Sequence, residues 1–120
     1  MKFLALCLFI VSHSVFANTL DNEKILERIH TSIKQKDLLC YDNSSGIKYY
    51  ASNLLGLLES EQLEIEFNSD TSTVTINRKF TNNIITLIIK TNSDISIVEE
   101  IIFTDVSFPD GHLLRKVSCF

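Results

Sequence analysis

Apolar residues recur at intervals of four near the start of the chain. Ile25, Ile29 and Ile33 follow this spacing, and charged residues lie among them. This is the pattern of a helix with one buried face. Asp21 is a favourable N-cap residue, because its carboxylate can accept a hydrogen bond from a free amide of the first turn. The pattern predicts a helix over Thr19 to Gln35.

The next segment, LLCYDNSSGIKYYASNLLGLLESE, is compatible with two structures. In the first, Ile47 to Leu58 forms a second helix, with a buried apolar face made by Ile47, Tyr50, Ala51, Leu54, Leu55 and Leu58. In the second, Leu38 to Asp42 and Ile47 to Ala51 form a β-hairpin that turns at Asn43 to Gly46. The leucine-rich second half fits a helix better than a strand, so the helix is the preferred prediction.

From Leu63 onward apolar residues alternate with polar ones, which is the pattern of strands with one buried face. The stretches LEIEFN and TVTINRKF alternate in this way, and the turn residues NSDTS separate them. The stretch IITLIIK is apolar at both parities, so it is predicted to be a central strand. Short loops between such strands favour antiparallel neighbours.

The last two predicted strands have distinctive features. A strand is predicted over Ile95 to Phe108. Its apolar residues are at odd positions in the first part and at even positions in the second, which indicates a β-bulge near Glu99 and Glu100. The stretch FPDGH is typical of a hairpin turn, because its glycine readily adopts a positive φ. The final strand is predicted over Leu113 to Cys119.

Together these elements predict an α+β fold, in which two N-terminal helices pack on one face of a roughly five-stranded antiparallel meander sheet. Residues 18–120 are expected to form this single globular domain, since their number suits one domain. The helices would cover the apolar face of the sheet, so that no second sheet is needed.

Residues 1–17 have the features of a secretory signal peptide. Lys2 precedes an unbroken apolar run from Phe3 to Val11, and Val15 and Ala17 precede a cleavage site. The run is about half as long as the roughly 20 residues that a membrane span needs. Cleavage is therefore expected near Ala17. The remaining chain is expected to be periplasmic or secreted, without stable membrane insertion.

Cleavage would remove Cys7 and leave two cysteines, Cys40 and Cys119. An even number of cysteines in an exported chain favours a disulfide, and two cysteines allow a single pairing. The closed ring would hold about 80 residues, for which chain entropy gives about 4–5 kcal/mol of stabilisation. A redox or metal-binding pair usually needs close spacing such as C-x-x-C, which this sequence lacks.

The charge balance argues against some classes of partner. Lys2 is the only charged residue of the predicted leader, so residues 18–120 carry ten of the 11 Lys and Arg residues and all 15 acidic residues, a net charge of −5. Nucleic acid is not an expected partner, because its phosphates require a basic surface. Another exported protein is the expected partner.

No arrangement of residues in the sequence indicates catalysis. Glu64 and Glu66 alternate with apolar residues, so they are expected on the solvent face of a strand and not across a cleft from each other. The two histidines beyond the leader, His30 and His112, lack the spacing of a metal site. Nucleophile motifs and phosphate-binding glycine loops do not occur. The chain is expected not to be an enzyme and to need no cofactor or metal.

Two short stretches are candidate partner-binding sites. The aromatic pair Tyr49 and Tyr50 can present one ring to a partner. The turn at FPDGH carries Phe108, Asp110 and His112 on a rigid tip. The function expected from these features is a small exported protein-binding domain, such as an inhibitor or immunity protein of an exported enzyme, or an envelope assembly factor. The alternative is a small-ligand or lipid carrier with an apolar pocket between helices and sheet.

Overall fold

A computed structural model of the protein describes residues 21–59 and 62–120. The predicted signal peptide, its cleavage site and the first residues of the predicted helix lie outside these ranges. The described chain contains one α-helix, one 3₁₀-helix and seven strands. In chain order they are α1 (Asn22–Gln35), β1 (Leu39–Asp42), β2 (Lys48–Tyr50), the 3₁₀-helix (Ala51–Leu58), β3 (Leu63–Asn68), β4 (Thr73–Lys79), β5 (Asn83–Thr91), β6 (Val98–Ser107) and β7 (Leu113–Cys119).

The strands form one antiparallel sheet in the order β2-β1-β7-β6-β5-β4-β3. Strands β3 to β7 are sequential neighbours and lie where the alternating pattern predicts strands. β1 pairs with β7, the last strand of the chain, and β2 lies beyond β1 at the edge. The predicted fold of two N-terminal helices on a roughly five-stranded sheet is therefore wrong: the described chain is mostly β, with seven strands and a single α-helix.

The predicted second helix is absent because the turn after β1 has favourable chemistry for a hairpin. The Asp42 carboxylate accepts hydrogen bonds from the backbone amides of Ser44, at 2.8 Å, and Ser45, at 3.4 Å. Gly46 has a φ of 73°, which an L-residue with a side chain adopts only at a cost. These features reverse the chain, so that β2 pairs with β1 as the hairpin alternative predicts.

The leucine spacing that favoured a helix is satisfied by the 3₁₀-helix instead. Ala51, Leu54 and Leu58 are buried there, as the helical pattern predicts. Ile47 and Tyr50, which that pattern also places in the core, are exposed. Apolar residues three and four positions apart can be buried by either type of helix, so their spacing does not distinguish the two.

α1 begins where the sequence predicts its cap. The Asp21 carboxylate accepts a hydrogen bond from the Lys24 amide at 2.9 Å. Ile25, Ile29 and Ile33 are buried on one face of the helix. α1 therefore packs through the isoleucine stripe that the sequence shows.

β6 contains a bulge at the predicted place but begins later than predicted. The pairing register with β5 shifts between Lys90 and Thr91, which leaves Glu99 as the extra residue on β6. The preceding residues form a loop in which Ile95 has a φ of 59° and is fully buried. The Asn92 side chain accepts hydrogen bonds from two amides of this loop and so holds it closed.

The sheet has one packed face and one face on which no described element packs, here called the open face. α1 and the 3₁₀-helix cover the packed face, where the most deeply buried residues lie: Ile29, Ile33, Cys40, Val74, Ile76, Leu87, Ile89, Ile95, Ile101, Val117 and Cys119. Strand β5 shows the difference between the faces. Leu87 and Ile89 are buried, whereas Ile88 between them is exposed on the open face.

Candidate functional site

Cys40 on β1 and Cys119 on β7 lie opposite each other in the sheet and form a disulfide. Both are fully buried. Beside them, Leu39 and Phe120 exchange two backbone hydrogen bonds, of 3.2 and 3.0 Å. The cysteines therefore occupy a non-hydrogen-bonded pair, the position at which opposing side chains are closest. The cross-link joins β1 to β7, and the two surfaces described next depend on this pairing.

Four large apolar side chains lie on the open face, on the other side of the sheet from the cross-link: Leu39, Tyr41, Tyr50 and Phe120, here called the β1 patch. Leu39 is opposite Tyr50 in the register and opposite Phe120 through the paired backbone bonds. Tyr41 lies two residues further along β1, so it points to the same side as Leu39. The exposed fractions are 48% for Leu39, 44% for Tyr41, 57% for Tyr50 and 70% for Phe120. Contiguous apolar surface of this kind marks interaction sites on soluble proteins.

Away from the β1 patch, the open face carries both aliphatic and polar residues. One row of paired residues crosses it from Tyr41 through Ser118, Ile102 and Ile88 to Thr75. Ser118, Ile102 and Thr75 are half-buried. The row ends on the next strand, β3, where Glu66 is opposite Thr75. Large exposed aromatic rings on this face are therefore concentrated at its β1 end.

The predicted aromatic pair is split between the two faces. Tyr49 and Tyr50 are neighbours in β2, so their side chains point to opposite sides of the sheet. Tyr50 belongs to the β1 patch. Tyr49 faces the packed side and is half-buried, and its hydroxyl accepts a hydrogen bond from Arg115 at 3.0 Å.

The other predicted residues, Phe108, Asp110 and His112, are exposed in the turn between β6 and β7. The glycine of that turn, Gly111, has the predicted positive φ, 76°. The Lys79 ammonium lies 4.3 Å from the centroid of the Phe108 ring. The length of β7 separates this turn from the β1 patch, about 20 Å at roughly 3.3 Å per residue. The structure therefore does not bring the two predicted stretches together.

On the packed face a cleft of about 480 Å³ lies between the 3₁₀-helix and the sheet. It is called the Arg115 cleft here. Leu54 and Leu57 of the 3₁₀-helix form one wall, and Ile85 and Phe103 of the sheet form the floor. The polar groups in the lining are those of Tyr49, Asn53, Asp105 and Arg115. The carrier alternative requires an apolar pocket, and this lining is mixed.

Arg115 is anchored at the cleft by two side chains from the β1–β2 hairpin. Its Nε donates a hydrogen bond to Asp42 Oδ2 at 2.6 Å, and its Nη2 donates to the Tyr49 hydroxyl at 3.0 Å. The guanidinium carbon is 5.7 Å from the Phe103 ring centroid and 5.8 Å from that of Tyr49. These distances allow cation–π attraction to both rings. Arg115 is thus held in place while 44% of its side chain stays exposed.

The Asp42–Arg115 pair remains ionised at neutral pH. Burial of the Asp42 carboxyl raises its pKa, but hydrogen bonds from Ser44, Arg115 and Ser45, together with the charge of Arg115, outweigh burial and hold the pKa below 3.8. The bond to Asp42 raises the pKa of Arg115. Burial raises the pKa of Tyr49, so its hydroxyl keeps its proton.

Sequence reasoning missed Asp42 and Arg115. They are 73 positions apart, and they meet because β1 pairs with β7. An aspartate directly before NSSG is a signal for a side-chain-stabilised turn, so the hairpin was readable. The ion pair was not, because no local pattern links the two residues.

Among the residues that the structure describes, no three His, Cys, Asp or Glu side chains are grouped so as to hold a metal ion. Within the same residues no helix has the length and apolar character needed to cross a membrane. No family model matches the chain, and no curated protein or solved structure matches it either. The features of the described chain that bear on its function are therefore the β1 patch and the Arg115 cleft.

Proposed function

We propose that the protein is a protein-binding domain that holds another exported protein against the β1 patch. The observation that carries this proposal is the exposure of four large apolar side chains, three of them aromatic, on one side of a cross-linked strand pair. Tyr and Phe are enriched at the centres of protein interfaces, because each buries a large area at a small cost in side-chain entropy. An inhibitor, an immunity protein or an assembly factor would use such a surface.

Two further features support the proposal. The disulfide and the reciprocal bonds between Leu39 and Phe120 hold the strands that carry the patch, and a pre-organised surface loses less entropy on binding. The disulfide, with the predicted leader, also favours an oxidising compartment and so an exported partner. The partner surface that fits the patch is flat and apolar.

The test compares exposed side chains near the two ends of β7, in the β1 patch and beside the β6–β7 turn. Leu39 is 48% exposed in the β1 patch, and Leu114 is 53% exposed beside the β6–β7 turn. The disulfide-containing protein is used to capture its partner from the exported fraction of its own cells. The affinity is then measured for Leu39→Ser combined with Tyr50→Ser, and for Leu114→Ser as the matched control.

The patch variant is expected to lose about 2 kcal/mol of binding free energy or more, about 30-fold in Kd, as central interface residues do. The Leu114→Ser variant is expected to bind as the unchanged protein does. Because all three side chains are exposed, their replacement should leave folding intact. Equal losses in both variants, or full retention by the patch variant, would contradict the proposal.

The Arg115 cleft favours a second candidate function, the carriage of a small ligand. Its volume of about 480 Å³ lies within the usual range of small-molecule sites. Its ionised groups suit a polar ligand better than a lipid tail, because a lipid tail would remove these groups from water without replacing their hydrogen bonds. Native mass spectrometry of protein purified from its own compartment tests this candidate, and a bound polar molecule is the expected result.

A further inference from the structure

We propose that the Arg115 cleft binds a small zwitterion, a molecule with a carboxylate, an ammonium group and an apolar part, such as a free α-amino acid or a dipeptide. This inference rests on the second candidate function, ligand carriage in the cleft. It does not depend on the β1 patch, which lies on the other face of the sheet.

Two opposite charges at the cleft face each other on neighbouring strands and form no salt bridge with each other. Asp105 on β6 and Arg115 on β7 are directly opposite in the register. Such side chains have Cβ atoms about 5 Å apart, and opposite charges there attract each other. In the described part of the chain, however, the ion pair of Arg115 is with Asp42, and Asp105 Oδ1 accepts a hydrogen bond from the side-chain Nδ2 of Asn83 at 2.8 Å. Asp105 is therefore held toward β5, and Arg115 is held toward β1.

Both groups keep hydrogen-bonding capacity for a ligand. A guanidinium has five N–H donors, and Arg115 uses two of them on Asp42 and Tyr49. Its remaining donors have no acceptor among the described residues, and they suit the fork geometry of a carboxylate. Asp105 uses Oδ1 on Asn83, so its second oxygen can accept from an ammonium group.

The placement of the charges favours a ligand that carries both signs of charge. Asp105 and Arg115 line the cleft, and Asp42 lies beside it, bonded to Arg115. A simple anion at Arg115 is repelled by both carboxylates, and a simple cation at Asp105 is repelled by the guanidinium. A zwitterion places each of its charges beside the opposite charge of the protein. The separation of Asp105 and Arg115 on neighbouring strands is short enough for one small molecule to reach both.

The remaining lining suits the apolar part of such a ligand. Leu54 and Leu57 stand on one side, and the Phe103 ring lies on the other. The volume, about 480 Å³, is in the lower half of the range for small-molecule sites, which favours a molecule smaller than a drug-sized ligand. Leucine and leucyl-leucine are therefore suitable probes.

The test is a titration followed by amide NMR spectra of the disulfide-containing protein. The probes are leucine, leucyl-leucine, N-acetyl-leucine, which lacks the ammonium group, and leucinamide, which lacks the carboxylate. At least one of the two zwitterions is expected to give saturable shifts at the amides of Tyr49, Asn53 and Asp105. Each singly charged analogue is expected to bind at least about tenfold more weakly.

A conservative variant tests the role of the acid. Asp105→Asn removes the charge but keeps the oxygen that accepts from Asn83, so the fold should be retained and is checked by thermal unfolding. It is expected to weaken zwitterion binding about tenfold or more and to leave N-acetyl-leucine binding no weaker. Asp110→Asn, on the exposed β6–β7 turn, is the matched control and should change neither.

Two results would overturn the inference. One is the absence of saturable shifts at the cleft with every probe up to about 10 mM, which is weaker than useful small-ligand binding. The other is an analogue that binds as tightly as its zwitterion, which would assign the cleft to a simple anion or cation. Partner capture by the Leu39→Ser, Tyr50→Ser variant reports on the β1 patch separately, so failure of one proposal is distinguishable from failure of the other.

Discussion

Replacement of Cys40 and Cys119 by alanine should remove a large part of the stability of the fold. The two cysteines are 79 positions apart, so the disulfide closes the chain from β1 to β7 into a ring, and α1 lies outside it. For a ring of this size, the restriction of the unfolded chain gives about 4–5 kcal/mol of stabilisation. A domain of about 100 residues typically has a total stability of about 5–15 kcal/mol. The double variant is therefore expected to be marginally folded.

The loss should be largest where the ring closes. Without the disulfide, backbone hydrogen bonds and the Asp42–Arg115 pair still join β1 to β7, but no covalent bond does. Because β2 pairs with β1, these two strands should open together. Amide exchange at Leu39 and Phe120, which bond to each other, should accelerate more than exchange in β4 and β5.

Urea unfolding followed by circular dichroism measures the effect. With a typical slope of about 2 kcal/mol per molar urea, a loss of 4–5 kcal/mol lowers the midpoint by about 2 M. A non-reducing peptide map first establishes that the unchanged protein contains the disulfide, and the reduced protein serves as a second comparison. A loss below about 1 kcal/mol would refute the reasoning, because ring closure would then contribute little.

Two further predictions concern single residues. The pKa of Asp42 in the folded protein lies below its ordinary value of 3.8, so its carboxylate stabilises the fold above about pH 4, and this contribution is lost as the pH falls through the folded pKa. In Asp42→Asn, urea midpoints should be lower at neutral pH and should fall less steeply below about pH 4; a parallel pH profile would contradict this. Gly111 has a φ of 76°, so Gly111→Ala should cost about 1 kcal/mol in urea unfolding. Gly56→Ala is the matched control, because a methyl group at Gly56 would meet only open space and Gly56 has no positive φ. This variant should lose no stability, and equal losses of stability in the two variants would contradict the argument.

Local patterns in the sequence predict the elements whose causes are local. The cap of α1 depends on Asp21 and the amide of Lys24, three residues away. The bulge at Glu99 is predicted because the apolar residues of one strand change from odd to even positions. The last hairpin is predicted because its turn contains a glycine. If Cys7 is removed with the predicted leader, the two remaining cysteines allow a single pairing, and that pairing is the cross-link of the structure.

The errors concern residues whose structure depends on distant partners. The segment after Asp42 contains apolar spacing for a helix and turn chemistry for a hairpin. The hairpin forms because β1 lies against β7, at the far end of the chain, and β2 can then extend the same sheet. The Arg115 cleft has the same origin, since Asp42, Asp105 and Arg115 come from three strands. Apart from the two cysteines, a single sequence contains no local signal for such pairings.

The claim that a partner occupies the β1 end of the open face is tested most directly by crosslinking in the cells that produce the protein. A photoreactive phenylalanine analogue replaces either Tyr41, in the β1 patch, or Thr75, in the same row of the open face. The two positions are four strand spacings apart, about 19 Å. The account predicts one discrete covalent adduct from position 41 and none from position 75. No adduct at position 41, or the same adduct from both positions, would contradict it.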